Sequence, residues 1–131
     1  MKYKIVRYKN INGNCPIDNF VKLIMKQHKC NEILQINHSI KLLEEFGNNL
    51  IKEYPKLVKH IKDGIYELRP GRNRILYFFY DDLDQCYVLL HGFIKSTQKT
   101  PKKEIDRAIS EKNDYERNAN YEERKPFQLI W

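Results

Sequence analysis

Glycine and proline are scarce here, five of each in 131 residues. The glycines form no phosphate-cradling loop, dinucleotide fingerprint or Gly-x-Ser-x-Gly elbow, so nucleotide-cofactor and serine-hydrolase chemistry find no support. Cysteine is also sparse. Cys15, Cys30 and Cys86 are odd in number and far apart, without the short spacing of a zinc or thioredoxin-like motif, which points to free thiols in a reducing cytosol. His28, His38, His60 and His91 show no metal-ligand spacing, and no aspartate cluster suits two-metal nuclease chemistry. No metal site and no cofactor is therefore expected. Apolar runs are too short to cross a bilayer, and the N-terminus enters an alternating segment rather than a signal-peptide core, so no membrane partner is expected and the chain reads as soluble and cytoplasmic. Acid is in deficit: 17 Asp and Glu stand against 24 Lys and Arg, a net charge of +7. That balance leans toward an anionic partner such as nucleic acid, although solubility alone can account for it.

With 41% hydrophobic and 12% aromatic residues, the chain is long enough to bury a core without disulfides or metals. Residues 3–9 alternate as a first strand. Pro16, at a first helical position with Asp18 behind it, opens a helix expected to end near Lys29, its apolar stripe being Ile17, Phe20, Val21 and Ile24. Asn31 is placed to cap a second helix with Ile33, Ile36, Ile40, Leu43 and Phe46 on one face and Gly47 as its stop. Two amphipathic helices so close together predict an antiparallel hairpin lying on one face of a sheet. Pro55 breaks residues 48–63 into an expected loop with one helical turn. Three strands follow, Gly64–Arg69, Asn73–Tyr80 and Tyr87–Lys95, joined by turns at Pro70–Asn73 and Asp81–Asp84. Thr100 and Pro101 then read as cap and first residue of a last helix, whose thin stripe (Ile105, Ala108, Ile109) predicts a helix on the surface. The fold class is α+β: a small antiparallel sheet in the order strand-helix-helix-strand-strand-strand-helix, with the helices mainly on one side. Residues 1–117 form one domain on this reading, and 118–131 a C-terminal extension ending in Phe127, Leu129, Ile130 and Trp131.

Cations gather at the strand ends. Glu67 and Arg69 share one face of their strand, and His91, Phe93 and Lys95 have common parity on the last. Arg74 opens the strand between them. A favourable register would bring Arg69, Arg74, His91 and Lys95 together beside Glu67, whereas a slip of one residue would scatter them. The loop from Lys95 to Lys103 holds four lysines and no acid, and leads into a helix N-terminus, where backbone N–H groups attract phosphate. Lys99 and Lys102 belong to this loop, and Arg72 sits at the tip of the Pro-Gly turn within reach of phosphate. Each cation has a plain reading as well: Arg69 can pair with Glu67, Arg72 and Lys102 can be solvated. His91 is either a general acid–base near neutral pH or a hydrogen-bonded core residue. Most of Tyr66, Tyr77, Phe78, Phe79, Tyr80, Tyr87 and Phe93 are expected in the core, with one or two rings free to stack on bases.

The segments Gly64-Ile65-Tyr66-Glu67-Leu68-Arg69, Arg74-Ile75-Leu76-Tyr77 and, above all, His91-Gly92-Phe93-Ile94-Lys95-Ser96-Thr97-Gln98-Lys99-Thr100-Pro101 resemble phage-derived HigB-type toxins of the RelE superfamily. The likeness continues through Glu104-Ile105 and Ala108-Ile109. It implies a RelE-like fold and the toxin of a type II toxin–antitoxin pair: an mRNA interferase that cuts mRNA on the ribosome and is neutralised by a helix-turn-helix antitoxin. Such an endoribonuclease needs no metal. The RNA's own 2′-hydroxyl attacks the adjacent phosphorus, and arginine and lysine side chains stabilise the added charge. Arg74 and Lys95 match positions that carry catalytic or phosphate-holding cations in the superfamily; Arg69 and Lys99 match less closely. Taken with the reading of the residues themselves, the candidate catalytic set is Arg74, Lys95, Arg69 and His91, with Arg72, Lys99 and Lys102 as candidate RNA-holding cations. Two features depart from the pattern. Relatives place lysines where this chain has Ile65 and Glu67, and a tyrosine near the position of Pro101, so proton transfer falls to His91 or a nearby tyrosine. The rival readings are a nucleic-acid-binding module without catalysis, and a degenerate toxin that only binds its antitoxin.

Overall fold

The computed structural model describes residues 3–81 and 85–118. The element order is β1 (Lys4–Arg7), α1 (Pro16–Lys26), α2 (Cys30–Phe46), a 3-10 turn (Gly47–Asn49) running into the single turn α3 (Leu50–Glu53), β2 (Val58–Lys62), β3 (Ile65–Leu68), β4 (Asn73–Tyr80), β5 (Cys86–Ile94) and α4 (Lys102–Asn118). The strands form one five-stranded sheet ordered β1-β5-β4-β3-β2. Four of them make an antiparallel meander. β1 instead runs parallel to β5, which a tight turn cannot achieve and a long crossover can. Among the described helices, none is long and apolar enough to cross a membrane.

The alternating strands bury both faces of this sheet. On one, Ile5, Leu68, Ile75, Tyr77, Tyr87 and Leu89 meet the stripes of α1 and α2: Ile17, Phe20, Val21, Ile24, Ile33, Ile36, Ile40 and Leu43. This is the expected hairpin. On the other face, Val6, Ile65, Leu76, Phe78, Val88 and Leu90 pack with Ala108 and Tyr115 of α4. The thin stripe of α4 is thus enough to cover the second face, and the helices do not all lie on one side. Polar ties also join the α4 helix to the sheet layer: among them, Tyr8 donates its hydroxyl to Asp114 at 2.5 Å, and Lys112 donates to the Asp63 carbonyl at 2.9 Å.

Several boundaries differ from the sequence reading. The α1 helix stops at Lys26 and α2 begins at Cys30, one residue before its expected cap Asn31. Within 48–63 the expected helical turn is present as α3, but β2 was not anticipated. Its cause is local. Asp63 (φ 52°) and Gly64 (φ 80°) both adopt the left-handed region, and Lys62 pairs with Ile65. An Asp-Gly pair of this kind makes the two-residue turn whose twist suits a hairpin. The turn residues 82–84 lie outside the described residues, as does the expected extension 118–131 apart from Asn118, which ends α4.

Gly92 on β5 faces Phe20 of α1, and a Cβ there would lie 2.3 Å from the Phe20 ring. Gly92→Ala should therefore destabilise the protein by about 1–3 kcal/mol through overpacking, measured by urea unfolding. In combination with Phe20→Leu the cost should fall below the sum of the two single changes, because the clash has been removed.

Candidate nucleic-acid interface

The geometry starts at β3. Ile65 faces the α4 side, so strand alternation turns Glu67 and Arg69 to that side as well. Glu67 is 1% exposed. A carboxylate so buried requires charged and hydrogen-bonding partners, and it has three. Arg69 donates Nε to Oε1 at 2.9 Å. Arg74 brings its Nε to 3.9 Å from the same oxygen. Thr100 donates its hydroxyl to Oε2 at 2.7 Å. One carboxylate therefore collects cations from β3 and β4 and fastens the loop that precedes α4. Thr100 was expected to cap that helix; its hydroxyl is used here instead, and the helix begins at Lys102, with the Pro101 carbonyl accepting from Glu104 and Ile105.

Arg74 is held from a second direction. Its Nη1 donates to the carbonyls of Gly71 at 2.8 Å and Asn73 at 2.9 Å. Its Nη2 makes no hydrogen bond within the described residues, leaving two N–H donors for a ligand. Burial pulls the guanidinium down from its ordinary value; Glu67 opposes that shift and Arg69 adds to it. The group remains a cation near neutral pH.

Across the β4–β5 ladder Arg74 pairs with Phe93, and Lys95 follows two residues on, on the same face. A small cleft is lined by Glu67, Arg74, Phe93, Lys95 and the loop Ser96–Pro101, Lys99 included. Lys95 and Lys99 are exposed and form no ion pair with another described residue. The loop is shaped by its backbone: Lys95 N–H donates to the Arg72 carbonyl at 2.8 Å, and the Thr97 hydroxyl donates to the Lys99 carbonyl at 2.6 Å. Among the described residues, the pocket holds three cations, one buried anion, several hydroxyls and a single aromatic wall, Phe93. Among the described residues, no group of three or more His, Cys, Asp or Glu could hold a metal ion.

The sequence-predicted residues fall into distinct places. Arg74, Lys95 and Lys99 line the cleft, and Arg69 is joined to them through Glu67. Arg72 stands on the rim, 59% exposed, its Nε 3.7 Å from Glu32 on α2. Lys102 is 91% exposed, 3.4 Å from Asp106, and does not line the cleft. His91 is on the same sheet face but 1% exposed beneath α4. Its Nδ1 lies 2.5 Å from Glu111 and its Nε2 3.1 Å from Glu104, so both ring nitrogens are engaged and neither lines the pocket. His91 thus takes the second of its two readings, a hydrogen-bonded core residue joining β5 to α4. The nearby tyrosines offer no substitute. Tyr66 and Tyr77 stack on the hairpin face, and burial drives the Tyr77 hydroxyl far above its ordinary value. Phe93 is the ring left to meet a base.

Sequence reasoning did not name Glu67 as the organiser, nor Thr100, Glu104 and Glu111 as partners. A signal existed for Glu67: one acid in a run of cations, on the same strand face as Arg69. For the others the partners come together only through the placement of α4.

Glu67→Ala would leave Arg69 and Arg74 without their shared counter-charge. The unfolding free energy should drop by about 3 kcal/mol in urea titrations, whereas Arg72→Ala, on the exposed rim, should stay within about 0.5 kcal/mol of the parent.

Residues 31–113 match the family model described as Phage derived protein Gp49-like (DUF891). No curated protein matches the chain.

Proposed function

The chain belongs to the phage-derived Gp49-like family, and on that premise we propose that it is the toxin of a type II toxin–antitoxin system, an endoribonuclease that cleaves mRNA in the cytoplasm at the ribosome. The observation that carries this reading is the clustering of Arg74, Lys95 and Lys99 in one cleft, with Arg74 fixed by Glu67 and two backbone carbonyls. A scissile phosphodiester would take the free N–H donors of Arg74 and the Lys95 ammonium. The 2′-oxygen of the preceding ribose attacks phosphorus and the bond to the 5′-oxygen breaks, leaving a 2′,3′-cyclic phosphate and a 5′-hydroxyl. Water receives the 2′-proton, Lys95 gives one to the departing oxygen, and solvent returns it. Preorganised cations lower the barrier because the charge on phosphorus grows as the bond forms. The rigid support of Arg74 means that little reorganisation accompanies this step. No metal takes part in this scheme. Phe93 would stack on a base next to the cut. The partner protein on this reading is a helix-turn-helix antitoxin that blocks the cleft or its approach.

One observation favours a second reading, a nucleic-acid-binding module without cleavage: among the described residues no histidine or tyrosine lines the cleft, and Glu67 has both oxygens occupied. Induced expression followed by mapping of transcript 5′ ends separates the two. Cleavage should be present in the parent and fall about a hundredfold or more in Arg74→Ala and in Lys95→Ala, with growth arrest relieved. Both variants should keep measurable affinity for a 2′-O-methyl RNA. Parent-like cleavage by both variants would remove the proposed mechanism, and binding without any cleavage by the parent would favour the module.

A further inference from the structure

We infer that the RNA-binding surface does not end at the cleft but continues across Arg69 to Lys59 on β2, which forms a backbone-phosphate subsite at the edge of the sheet. This rests on the proposed function, since the cleft must hold RNA for its extension to matter. The ladder between β2 and β3 sets Lys59 directly opposite Glu67. Residues opposite each other in an antiparallel pair point to the same face, so Lys59 shares the cleft side of the sheet. Its neighbour Val58 confirms the parity: it is 3% exposed and buried with the hairpin core on the other side.

Four successive strands then each contribute a cation to one face near one end: Lys59 on β2, Arg69 after β3, Arg74 on β4 and Lys95 after β5. Lys59 is level with Glu67, Leu76 and His91 across the ladders, so three inter-strand spacings and a four-residue offset along the strands separate it from Lys95, roughly 19 Å. Among the described strand residues of this row the one acid is Glu67, which is buried and already engaged by Arg69 and Thr100, so it does not present a repelling charge to a strand passing over it. Lys59 is exposed and makes no hydrogen bond or ion pair with another described residue. β2 is also the last strand of the sheet on its side, so a single strand leaving the cleft by this route meets no further wall of backbone. A lysine on an edge strand also discourages edge-to-edge pairing, but that duty does not require it to face the cleft, and it predicts no contribution to RNA affinity.

The test is a salt titration of binding to a 2′-O-methyl oligoribonucleotide, followed by fluorescence anisotropy, with the parent, Lys59→Ala and Lys59→Gln. Lys41→Ala, an exposed lysine on α2, serves as the control. Both Lys59 variants should bind about threefold more weakly at moderate salt, and the slope of log affinity against log salt should flatten by about 0.7, the share of one lost phosphate contact on a single strand. In cleavage assays KM should rise while kcat holds, as expected for a contact made equally in the ground and transition states. If the parent binds RNA with a steep salt dependence while both Lys59 variants match Lys41→Ala, the subsite is wrong and the cleft reading survives. If the parent shows no salt-dependent RNA binding, the cleft reading fails and the subsite goes with it.

Discussion

β5 carries one more residue than β4 where the two strands pass Leu76 and Tyr77. Leu76 pairs with His91 and Tyr77 with Leu89, so Leu90 has no partner. Before this bulge, odd-numbered residues of β5 such as Tyr87 and Leu89 face the helical hairpin; after it, His91 and Phe93 face α4. An unbroken ladder would instead turn Phe93 and Lys95 toward the hairpin, away from Arg74. The bulge changes the face without disturbing the core on either side, a use of extra residues that recurs beside functional sites. The convergence of Arg74, Phe93 and Lys95 depends on that single unpaired position.

The charge arrangement follows a related logic. A buried carboxylate is costly to dehydrate, and Glu67 is tolerable only because guanidinium and hydroxyl groups surround it. In return it restrains two arginines that would otherwise repel each other. Since one anion serves two guanidiniums, the pair keeps a net positive charge, and Arg74 keeps its free donors. The neighbouring trio of His91, Glu104 and Glu111 ties the first three turns of α4 to the sheet, so that the loop before it has a fixed end. Arg107 reaches the second oxygen of Glu111 at 3.2 Å, so this carboxylate too is shared between partners. Two polar clusters thus lie side by side on one face, one closed off and the other open to a ligand.

Much of this could be read from the chain. Strong periodicity gave β1, β3, β4, β5 and the first two helices, because each buries one apolar face against a common partner. Parity alone grouped Glu67 with Arg69 and His91 with Lys95. What could not be read was the relation between those groups, since it depends on a bulge that leaves no mark in the residue pattern. β2 escaped notice because Lys59, His60 and Lys62 dilute its apolar alternation, and the Asp63-Gly64 turn was the better guide. The burial of α4 was hidden for a similar reason: one of its inward positions is Glu111, which looks like a solvent residue until His91 is found beneath it. The roles of His91 and Thr100 depended on partners 13 to 33 residues away, beyond the reach of local pattern.

The parallel pairing of β1 with β5 has a further meaning for how the molecule is made. Lys4 meets Cys86 and Arg7 meets Leu89, so the first strand to be synthesised waits for the last. Such distant pairings are slow to form and come late in assembly. A nascent chain still missing β5 has neither Phe93 nor Lys95 and no seat for its own N-terminal strand. The cleft lined by Arg74, Phe93 and Lys95 therefore cannot form before the polypeptide has been made as far as that lysine.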